Sequence, residues 1–397
     1  MIPLISNLNL EGSIHLDTDN KNLIAYCDEL RDSVKPNNKI LLVKGLQLNL
    51  NCFEREVALN QCYYAYPPTG LQYIKGSLRG RGLEIDILDA NFEFLKRSIK
   101  QSDFNPANWT EILDDYFESN DPSIVGISNL FDADFQGFTQ ISEYLKNKRP
   151  NKQIILAGGQ KATYSPIGLL KKDICNFAIQ REAEDKIPFL IDLLLKDKRD
   201  SPFSEIIFKY EDKIYESQGE RGFPELRGNL IEEYEGIPIE EYCQVGTFSP
   251  FSRMSGKTKP FAPIILNRGC HGGCTFCDVT NLAGRGVRTR KTEDVVDELE
   301  YLYKVRGVRH FEFLDDDLAV YKDKLLKLLG EIKSLNLTDF TWASSNGIIA
   351  SCLDEELLQA FTETGCNGFR IGVESGNEEM LKRISKPGTI KKFRKFS

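Results

Sequence analysis

Short apolar segments rich in β-branched residues alternate with helical patterns along most of this chain. Alternation of this kind is typical of parallel strands that are joined by crossover helices. Five such segments in the first half predict buried strands at residues 39–46, 83–90, 123–130, 152–159 and 174–180. Together they predict an open, doubly wound parallel sheet over residues 39–200, preceded by an extension over residues 1–38 that lies outside any core.

The sequence pattern changes over residues 201–262. A hairpin pattern with a charged turn is followed there by acidic sequence that is interrupted by Pro and Gly. This stretch is interpreted as a connector with little core of its own. The alternation resumes in residues 263–397 with predicted strands at 263–269, 310–317, 340–347 and 368–375. Each strand ends in polar residues, and the carboxyl rim of a parallel barrel is where sites are assembled.

Composition narrows the class of protein. The 397 residues carry a net charge of -8, which argues against a protein that binds nucleic acid over its whole surface. No charged and then apolar leader is evident at the start, and no apolar run approaches the ~20 residues of a membrane span. These features predict a cytoplasmic location with no membrane partner. Only three histidines occur in the chain, which argues against a centre built on several imidazoles.

Three cysteines lie close together in the segment GCHGGCTFCD, at Cys270, Cys274 and Cys277. Thiolates suit zinc or an iron-sulfur cluster. A structural zinc site needs four protein ligands. His271 or Asp278 is a candidate for the fourth ligand beside the three cysteines. A cubane cluster can instead be held by three cysteines that leave one iron open to a substrate or cofactor. Both alternatives stay open at this point, and the other seven cysteines are interpreted as buried thiols.

Cys270, Cys274, Phe276 and Cys277 match the CxxxCxΦC signature, so this segment resembles radical S-adenosylmethionine (radical SAM) enzymes. The resemblance implies a 4Fe-4S cluster on the three cysteines. It also implies S-adenosylmethionine (SAM) bound at the open iron and cleaved reductively to a 5′-deoxyadenosyl radical. The implied fold class is α/β, with a flavodoxin-like doubly wound sheet followed by a partial (βα) barrel of the radical SAM type.

The same resemblance implies a set of SAM contacts at the ends of the predicted strands. The acids after the second strand match the polar group near the SAM amino end, and the third and fourth strands end at matching polar residues. An acidic strand end can equally be a helix cap or a solvated turn. The implied SAM-binding residues are Asp315, Asp316, Asp317, Ser344, Asn346, Glu374 and Ser375. No residue is assigned to catalysis.

Residues 66–91 are similar to the opening unit of the cobalamin-binding domain that often precedes a radical SAM core. Ser128 and Leu130 match its SxL element, and Gly158 with Gly159 matches its GG element. Small residues at the carboxyl ends of parallel strands let a cofactor tail lie against the backbone. The DxHxxG element is absent, so the domain is expected either to bind cobalamin without a histidine ligand or to act only as a scaffold.

Residues 263–397 have room for about four βα units, whereas the radical SAM core usually has six. The chain is therefore expected to be truncated or to need a second polypeptide that completes the barrel. The predicted function is a radical SAM enzyme, with methyl transfer, C-C bond formation or rearrangement as its reaction and an electron donor such as flavodoxin or ferredoxin. The alternatives are a zinc-binding protein without catalysis and a radical SAM fragment without independent turnover. The substrate is unknown.

Overall fold

A computed structural model describes residues 13–130, 135–196, 203–226 and 228–396. The chain divides into two compact units. The first comprises Met1–Asn49, Ser77–Ala90 and Thr110–Gly222, and the second comprises Leu50–Gly76, Asn91–Trp109 and Phe223–Ser397. No helix in the described ranges is both long and apolar enough to span a bilayer.

The elements are numbered in chain order. The strands are β1 (Ile14–Asp17), β2 (Lys39–Lys44), β3 (Glu84–Asp89), β4 (Ile124–Asn129), β5 (Ile154–Gly159), β6 (Phe177–Ile179), β7 (Ile206–Tyr210), β8 (Lys213–Ser217), β9 (Phe261–Ile264), β10 (Asn267–Arg268), β11 (Arg288–Thr289), β12 (His310–Phe313), β13 (Thr341–Ser344) and β14 (Cys366–Phe369). The helices are α1 (Lys21–Val34), α2 (Arg55–Leu59), α3 (Thr69–Ser77), α4 (Ala90–Lys100), α5 (Glu111–Ser119), α6 (Phe135–Lys148), α7 (Gln160–Tyr164), α8 (Pro166–Lys171), α9 (Lys186–Lys196), α10 (Tyr242–Val245), α11 (Pro250–Ser255), α12 (Val279–Leu282), α13 (Thr292–Lys304), α14 (Lys322–Ser334), α15 (Glu355–Glu363), α16 (Glu378–Arg383) and α17 (Ile390–Phe396).

The first unit is built on a sheet with the order β1-β8-β7-β6-β5-β4-β2-β3. Strands β3, β2, β4, β5 and β6 are mutually parallel and form the predicted doubly wound core. Their order is the 2-1-3-4-5 arrangement of flavodoxin-like folds, in which ligands bind where the strand order reverses. Here that switch point lies between β2 and β4. The predicted fold class is confirmed for this unit.

The sheet is larger than the five strands that the sequence predicts. The hairpin of β7 and β8 continues the sheet through antiparallel pairing with β6, and β1 pairs in parallel with β8. The prediction that residues 1–38 lie outside any core is therefore wrong for the described residues from 13 onward. Helix α1 buries Leu23, Cys27 and Leu30, which recur on one face of the helix. Strand β1 is short and mostly exposed, so its place depends on main-chain pairing that no local pattern reveals.

The second unit contains a parallel sheet with the order β14-β13-β12-β9. Each strand pairs with its neighbour along this series, and helices α13, α14 and α15 connect them. Strands that follow one another in sequence and in space are the wall of a βα barrel rather than a doubly wound sheet. Phe311, Phe313 and Trp342 pack with apolar residues of these helices in one buried cluster. The helices therefore cover one face of this sheet.

The opposite face of this sheet is polar and is covered by α11. Glu312 on β12 is fully buried, and its Oε1 accepts hydrogen bonds from Ser249 Oγ at 2.6 Å and from the backbone N–H of Ser252 at 3.0 Å. A Cβ at Gly368 would overlap the ring of Phe251, so only glycine lets α11 pack this closely on β14. At the level of Glu312, helix α11 and its hydrogen bonds therefore fill the interior of the barrel.

A buried ion pair holds the connector against the first barrel strand. Arg290 and Glu298 are both 1% exposed and lie 2.6 Å apart. Arg290 also donates to the carbonyl of Ile265 at 2.9 Å and to that of Gly228 at 3.2 Å. Glu298 accepts from Tyr234 Oη at 2.9 Å. Because both charged side chains are buried, loss of one charge leaves the other uncompensated.

We expect Arg290→Met to lower the free energy of unfolding of the second unit by about 3 kcal/mol or more, since Glu298 would stay buried without its cation. The double variant Arg290→Met and Glu298→Leu should recover part of that loss, because it removes both charges. Chemical denaturation followed by circular dichroism measures both effects. Equal losses in the single and double variants would show that the lost packing, and not the unpaired charge, sets the cost.

Candidate functional site

The three cysteines of the GCHGGCTFCD segment lie on one loop between β10 and α12. Cys270 and Cys274 are half-buried and Cys277 is exposed, and none of the described cysteines forms a disulfide. Gly269 opens the loop with φ +89°, and a Cβ there would collide with the carbonyl oxygen of Gly286. The turn into the loop therefore depends on glycine.

Burial governs the acidity of the two inner thiols. Desolvation raises the pKa of Cys270 to about 11, and it also raises the pKa of Cys274. A hydrogen bond from the backbone N–H of Gly272 to Cys270 Sγ, at 3.3 Å, acts in the opposite direction. Metal ligation requires thiolates, so a bound metal would displace the protons of these thiols.

The three consecutive acids after β12 occupy three different environments. Asp315 is fully buried and accepts the backbone N–H groups of Leu266 at 3.1 Å and Asn267 at 2.5 Å. Burial raises the pKa of Asp315 to about 8. Asp316 is only half-buried. Asp315 thus ties the end of β12 to the start of the cysteine loop.

Asp317 faces the cysteine loop directly. Its Oδ2 lies 3.8 Å from Cys270 Sγ, accepts the backbone N–H of His271 at 3.3 Å, and contacts His271 Nδ1. Its Oδ1 is buried and has no hydrogen-bond partner among the described residues. A buried carboxylate oxygen without a donor is costly unless a ligand supplies one. Asp317 is therefore suited to a group that carries N–H donors.

Cys352 joins this group, although sequence spacing gave no reason to connect it with the loop. It ends a short helical turn after β13, and its Sγ lies with ligand atoms of His271 and Asp317 in a set whose members are all within 4.8 Å. The sequence interpretation as a lone thiol missed this proximity. No spacing signal could have revealed it, because 82 residues separate Cys352 from Cys270.

The predicted residues after β13 mainly shape the turn that follows it. Ser344 is buried and donates to the carbonyl of Gly347 at 3.3 Å, and Asn346 Nδ2 donates to the carbonyl of Leu314 at 2.7 Å. Between them, Ser345 Oγ is buried without a partner among the described residues. Ser345 is thus a polar group that the sequence interpretation overlooked.

The predicted residues after β14 lie beside the second cysteine. Glu374 has φ +63° and pairs with Lys386 at 3.1 Å. The charges of Lys386 and Glu374 shift the pKa of Cys274 in opposite directions. Ser375 Oγ accepts the backbone N–H of Asn377 at 3.1 Å, so it serves the start of α16. Asp317 therefore flanks Cys270, and Glu374 flanks Cys274.

In the first unit, the predicted small residues lie at the switch point of the sheet. Ser128 pairs with Lys44 of β2 on one side and with Gly158 of β5 on the other, and Leu130 follows β4 with 47% exposure. No described heavy atom lies within 4 Å of a Cβ at Gly158. Gly159, by contrast, has φ +89°, and a Cβ there would collide with the carbonyl oxygen of Asn129. The fold requires Gly159, whereas Gly158 leaves open space at the carboxyl edge of the sheet.

Two family descriptions match this chain. Residues 55–191 match the B12 binding domain, and residues 264–396 match the Radical SAM superfamily. This chain contains a B12-binding domain followed by a radical SAM domain. The resemblance predicted from the cysteine loop is confirmed, and the family match favours a cluster over the zinc alternative.

This radical SAM protein has methyltransferases among its relatives. An uncharacterized methyltransferase of Pyrococcus horikoshii is 26% identical over 321 residues, which cover 81% of this chain and 63% of the relative. The cytidylyl-2-hydroxyethylphosphonate methyltransferase of Streptomyces wedmorensis is 24% identical over 365 residues, which cover 83% of this chain and 64% of that protein. The chain thus spans less than two thirds of the length of these relatives.

A solved structure has the same fold. The radical SAM methyltransferase TsrM from Kitasatospora setae, with cobalamin and a [4Fe-4S] cluster bound, superposes with a TM-score of 0.63. The match covers 90% of this chain and 66% of TsrM, at 17% identity. The predicted fold class is therefore confirmed for both parts of the radical SAM protein.

The two domains imply a 4Fe-4S cluster, SAM and cobalamin, and the residues present fit these groups. Three thiols on one loop are a donor set for three irons. The buried Oδ1 of Asp317 lacks a donor that the amino group of SAM would provide. The open space at Gly158 lies at the switch point where a cofactor tail can approach the backbone.

We expect Gly158→Val to weaken cobalamin binding and to leave stability nearly unchanged. The valine side chain would enter open space at the carboxyl edge of the sheet, where cobalamin is expected to bind. Gly159→Ala should instead lower the free energy of unfolding by on the order of 2 kcal/mol, through a strained φ and a backbone collision. Cobalamin retention on gel filtration and thermal denaturation separate the two effects. Normal cobalamin retention by Gly158→Val would place the cofactor away from this edge.

Proposed function

We propose that this chain is the cobalamin- and SAM-dependent core of a radical SAM methyltransferase. The observation that carries the proposal is the presence of two candidate cofactor sites in one chain. Three thiols follow the first strand of a barrel-type sheet, and small residues line the switch point of a flavodoxin-like sheet. The methyltransferase relatives favour methyl transfer over the cyclisation or rearrangement that the sequence alone left open.

Every predicted site residue except Asp315, which binds the backbone of Leu266 and Asn267 instead of facing a cofactor, has a proposed role at a cofactor. Cys270, Cys274 and Cys277 hold three irons of the cluster, and Asp317 accepts a hydrogen bond from the amino group of SAM. When bound, the reduced cluster supplies one electron that cleaves SAM, and cobalamin carries the methyl group that is transferred. Asp316, Ser344, Asn346, Glu374 and Ser375 are proposed to complete the SAM site, and Ser128, Leu130, Gly158 and Gly159 are proposed to contact cobalamin.

Further parts of the function stay predictions. The electron comes from a donor such as flavodoxin or ferredoxin, and a second polypeptide completing the barrel is compatible with the length of the relatives. The substrate class is open. A cytoplasmic location agrees with chemistry that needs a reduced cluster. The domain boundaries at residues 38, 200 and 262 are likewise proposed.

Anaerobic reconstitution tests the cluster. We expect a brown protein with about four irons per chain, and release of 5′-deoxyadenosine from SAM on reduction. Cys274→Ala should lose most of its iron, whereas Cys62→Ala, outside the loop, should keep it. Cys62 is exposed, so its interpretation from the sequence as a buried thiol is wrong. A colourless protein with one zinc per chain would contradict the proposal. Iron without SAM cleavage would leave a fragment that binds the cluster but does not turn over.

The three consecutive acids give a matched series of variants. Asp317→Asn should keep the iron content and raise the Kd for SAM about tenfold, because a charge-assisted hydrogen bond is worth about 1.5–3 kcal/mol. Asp315→Asn should instead lower the iron content, since an amide cannot accept both the Leu266 and Asn267 N–H groups. The half-buried Asp316 provides the third member, Asp316→Asn, whose effect on SAM binding should be smaller.

Calorimetry with SAM and iron analysis measure the series. If Asp317→Asn bound SAM as tightly as the wild type, the amino group of SAM would have to be held elsewhere. If all three variants lost iron equally, the acids would act only in folding of the loop.

A further inference from the structure

Basic residues are concentrated in the segment from Lys382 to Lys395, although the chain as a whole carries a net charge of -8. This basic segment includes the end of α16 and most of α17. It contains no acidic residue and seven basic ones: Lys382, Arg383, Lys386, Lys391, Lys392, Arg394 and Lys395. Such a local charge is opposite in sign to the rest of the protein and is not used by the proposed chemistry.

The basic segment lies directly against the cysteine loop. The carbonyl of Ile384 accepts the backbone N–H of Thr275 at 3.0 Å. A Cβ at Gly272 would lie 3.3 Å from Pro387 Cγ, so the ring of Pro387 packs closely on the loop backbone at Gly272. These contacts join the middle of the basic segment to residues on either side of Cys274. Positive charge is therefore placed next to the loop that would hold the cluster.

Most of this charge is available to a partner. Lys382, Arg383, Lys391 and Arg394 are exposed, and none of them has a carboxylate partner among the residues that the structure describes. Lys386 pairs with Glu374 at 3.1 Å, and Lys395 pairs with Glu355 at 3.0 Å. Unpaired exposed cations raise the local concentration of an acidic partner.

Apolar surface accompanies the charge. Met380, on α16 and two residues before Lys382, is 42% exposed, and Val373, just before Glu374, is 37% exposed. Exposed apolar side chains next to charged ones are typical of a protein interface, whose centre is apolar and whose rim is polar. A site for nucleic acid would need a basic surface extended along a phosphate backbone, against the overall charge of this chain.

We propose that the basic segment docks an acidic one-electron carrier protein beside the cluster. The inference rests on the proposed function, in which the cluster needs one electron from outside the chain. In the docked complex one electron passes from the carrier to the cluster, so the carrier is oxidised and the cluster is reduced by one electron each. The basic side chains steer and orient the carrier, and the complex is a small, transient interface.

The test compares two double charge reversals with a matched control. The test variants are Lys382→Glu with Arg383→Glu, and Lys391→Glu with Arg394→Glu. The control is Lys304→Glu with Lys333→Glu, at the ends of α13 and α14. These helices return from the carboxyl to the amino edge of the sheet, so the control carries the same charge change at the opposite edge from the cysteine loop.

A flavodoxin is the probe, and two measurements are made on each variant. Calorimetry gives its Kd at about 0.01 M and about 0.3 M salt, and stopped-flow spectroscopy gives the rate at which reduced flavodoxin reduces the cluster. We expect each test variant to raise the Kd and lower the rate about tenfold at low salt, with the difference largely gone at high salt. The control should behave like the wild type.

Reduction by titanium(III) citrate, a small reductant that needs no docking surface, separates this inference from the proposed function. If titanium(III) reduces every variant and flavodoxin discriminates among them, the docking surface is supported. If all variants bind flavodoxin equally, or if the control is affected as much as the test variants, the docking surface is wrong. If titanium(III) reduces no cluster even in the wild type, the proposed function fails instead. Tighter binding of RNA than of flavodoxin by the wild type would also overturn the inference.

Discussion

Parallel pairing brings the carboxyl ends of successive strands to one edge, and both candidate cofactor sites depend on that convergence. In the first unit it aligns Lys44, Ser128 and Gly158 across three neighbouring strands. In the second unit it brings the residues after β12, β13 and β14 to the side of the sheet from which the cysteine loop begins. Residues far apart in sequence become neighbours because each crossover helix returns the chain to the opposite edge.

Convergence alone does not decide what each polar residue does. The three acids after β12 are chemically identical, yet Asp315 binds backbone N–H groups, Asp316 is half-buried, and Asp317 reaches Cys270 and His271. The difference arises from the direction of each side chain at the end of the strand. Asp315 thus organises the loop, whereas Asp317 contacts the loop through Oδ2 and leaves its buried Oδ1 without a donor.

Much of the architecture could be predicted from local patterns, because buried parallel strands are apolar runs with helices between them. The strands β2 to β6, β9, β12, β13 and β14 overlap those runs, although the barrel strands end several residues before the polar clusters. The short strand β11 lies in none of the predicted runs. Strand β1 could not be predicted, because its position depends on pairing with β8, about 200 residues away in the sequence. The roles of Cys352 and Ser345 in the site could not be predicted, because both reach the site through a turn whose geometry has no sequence signature. The proximity of Cys270, Cys274 and Cys277 on one loop was the most predictable feature of the site, since the three cysteines lie within eight residues.

The two adjacent glycines at the end of β5 have a consequence for how this domain can change over evolutionary time. Gly159 is held by backbone geometry alone, so selection for folding retains it whether or not a cofactor is present. Gly158 meets no neighbouring atom and is retained only if something occupies the space above it. In a lineage that abandoned cobalamin, the first glycine would drift to larger residues while the second persisted. Under the proposed contact between Gly158 and cobalamin, the state of the first glycine in each descendant sequence would record whether the domain still carries its cofactor.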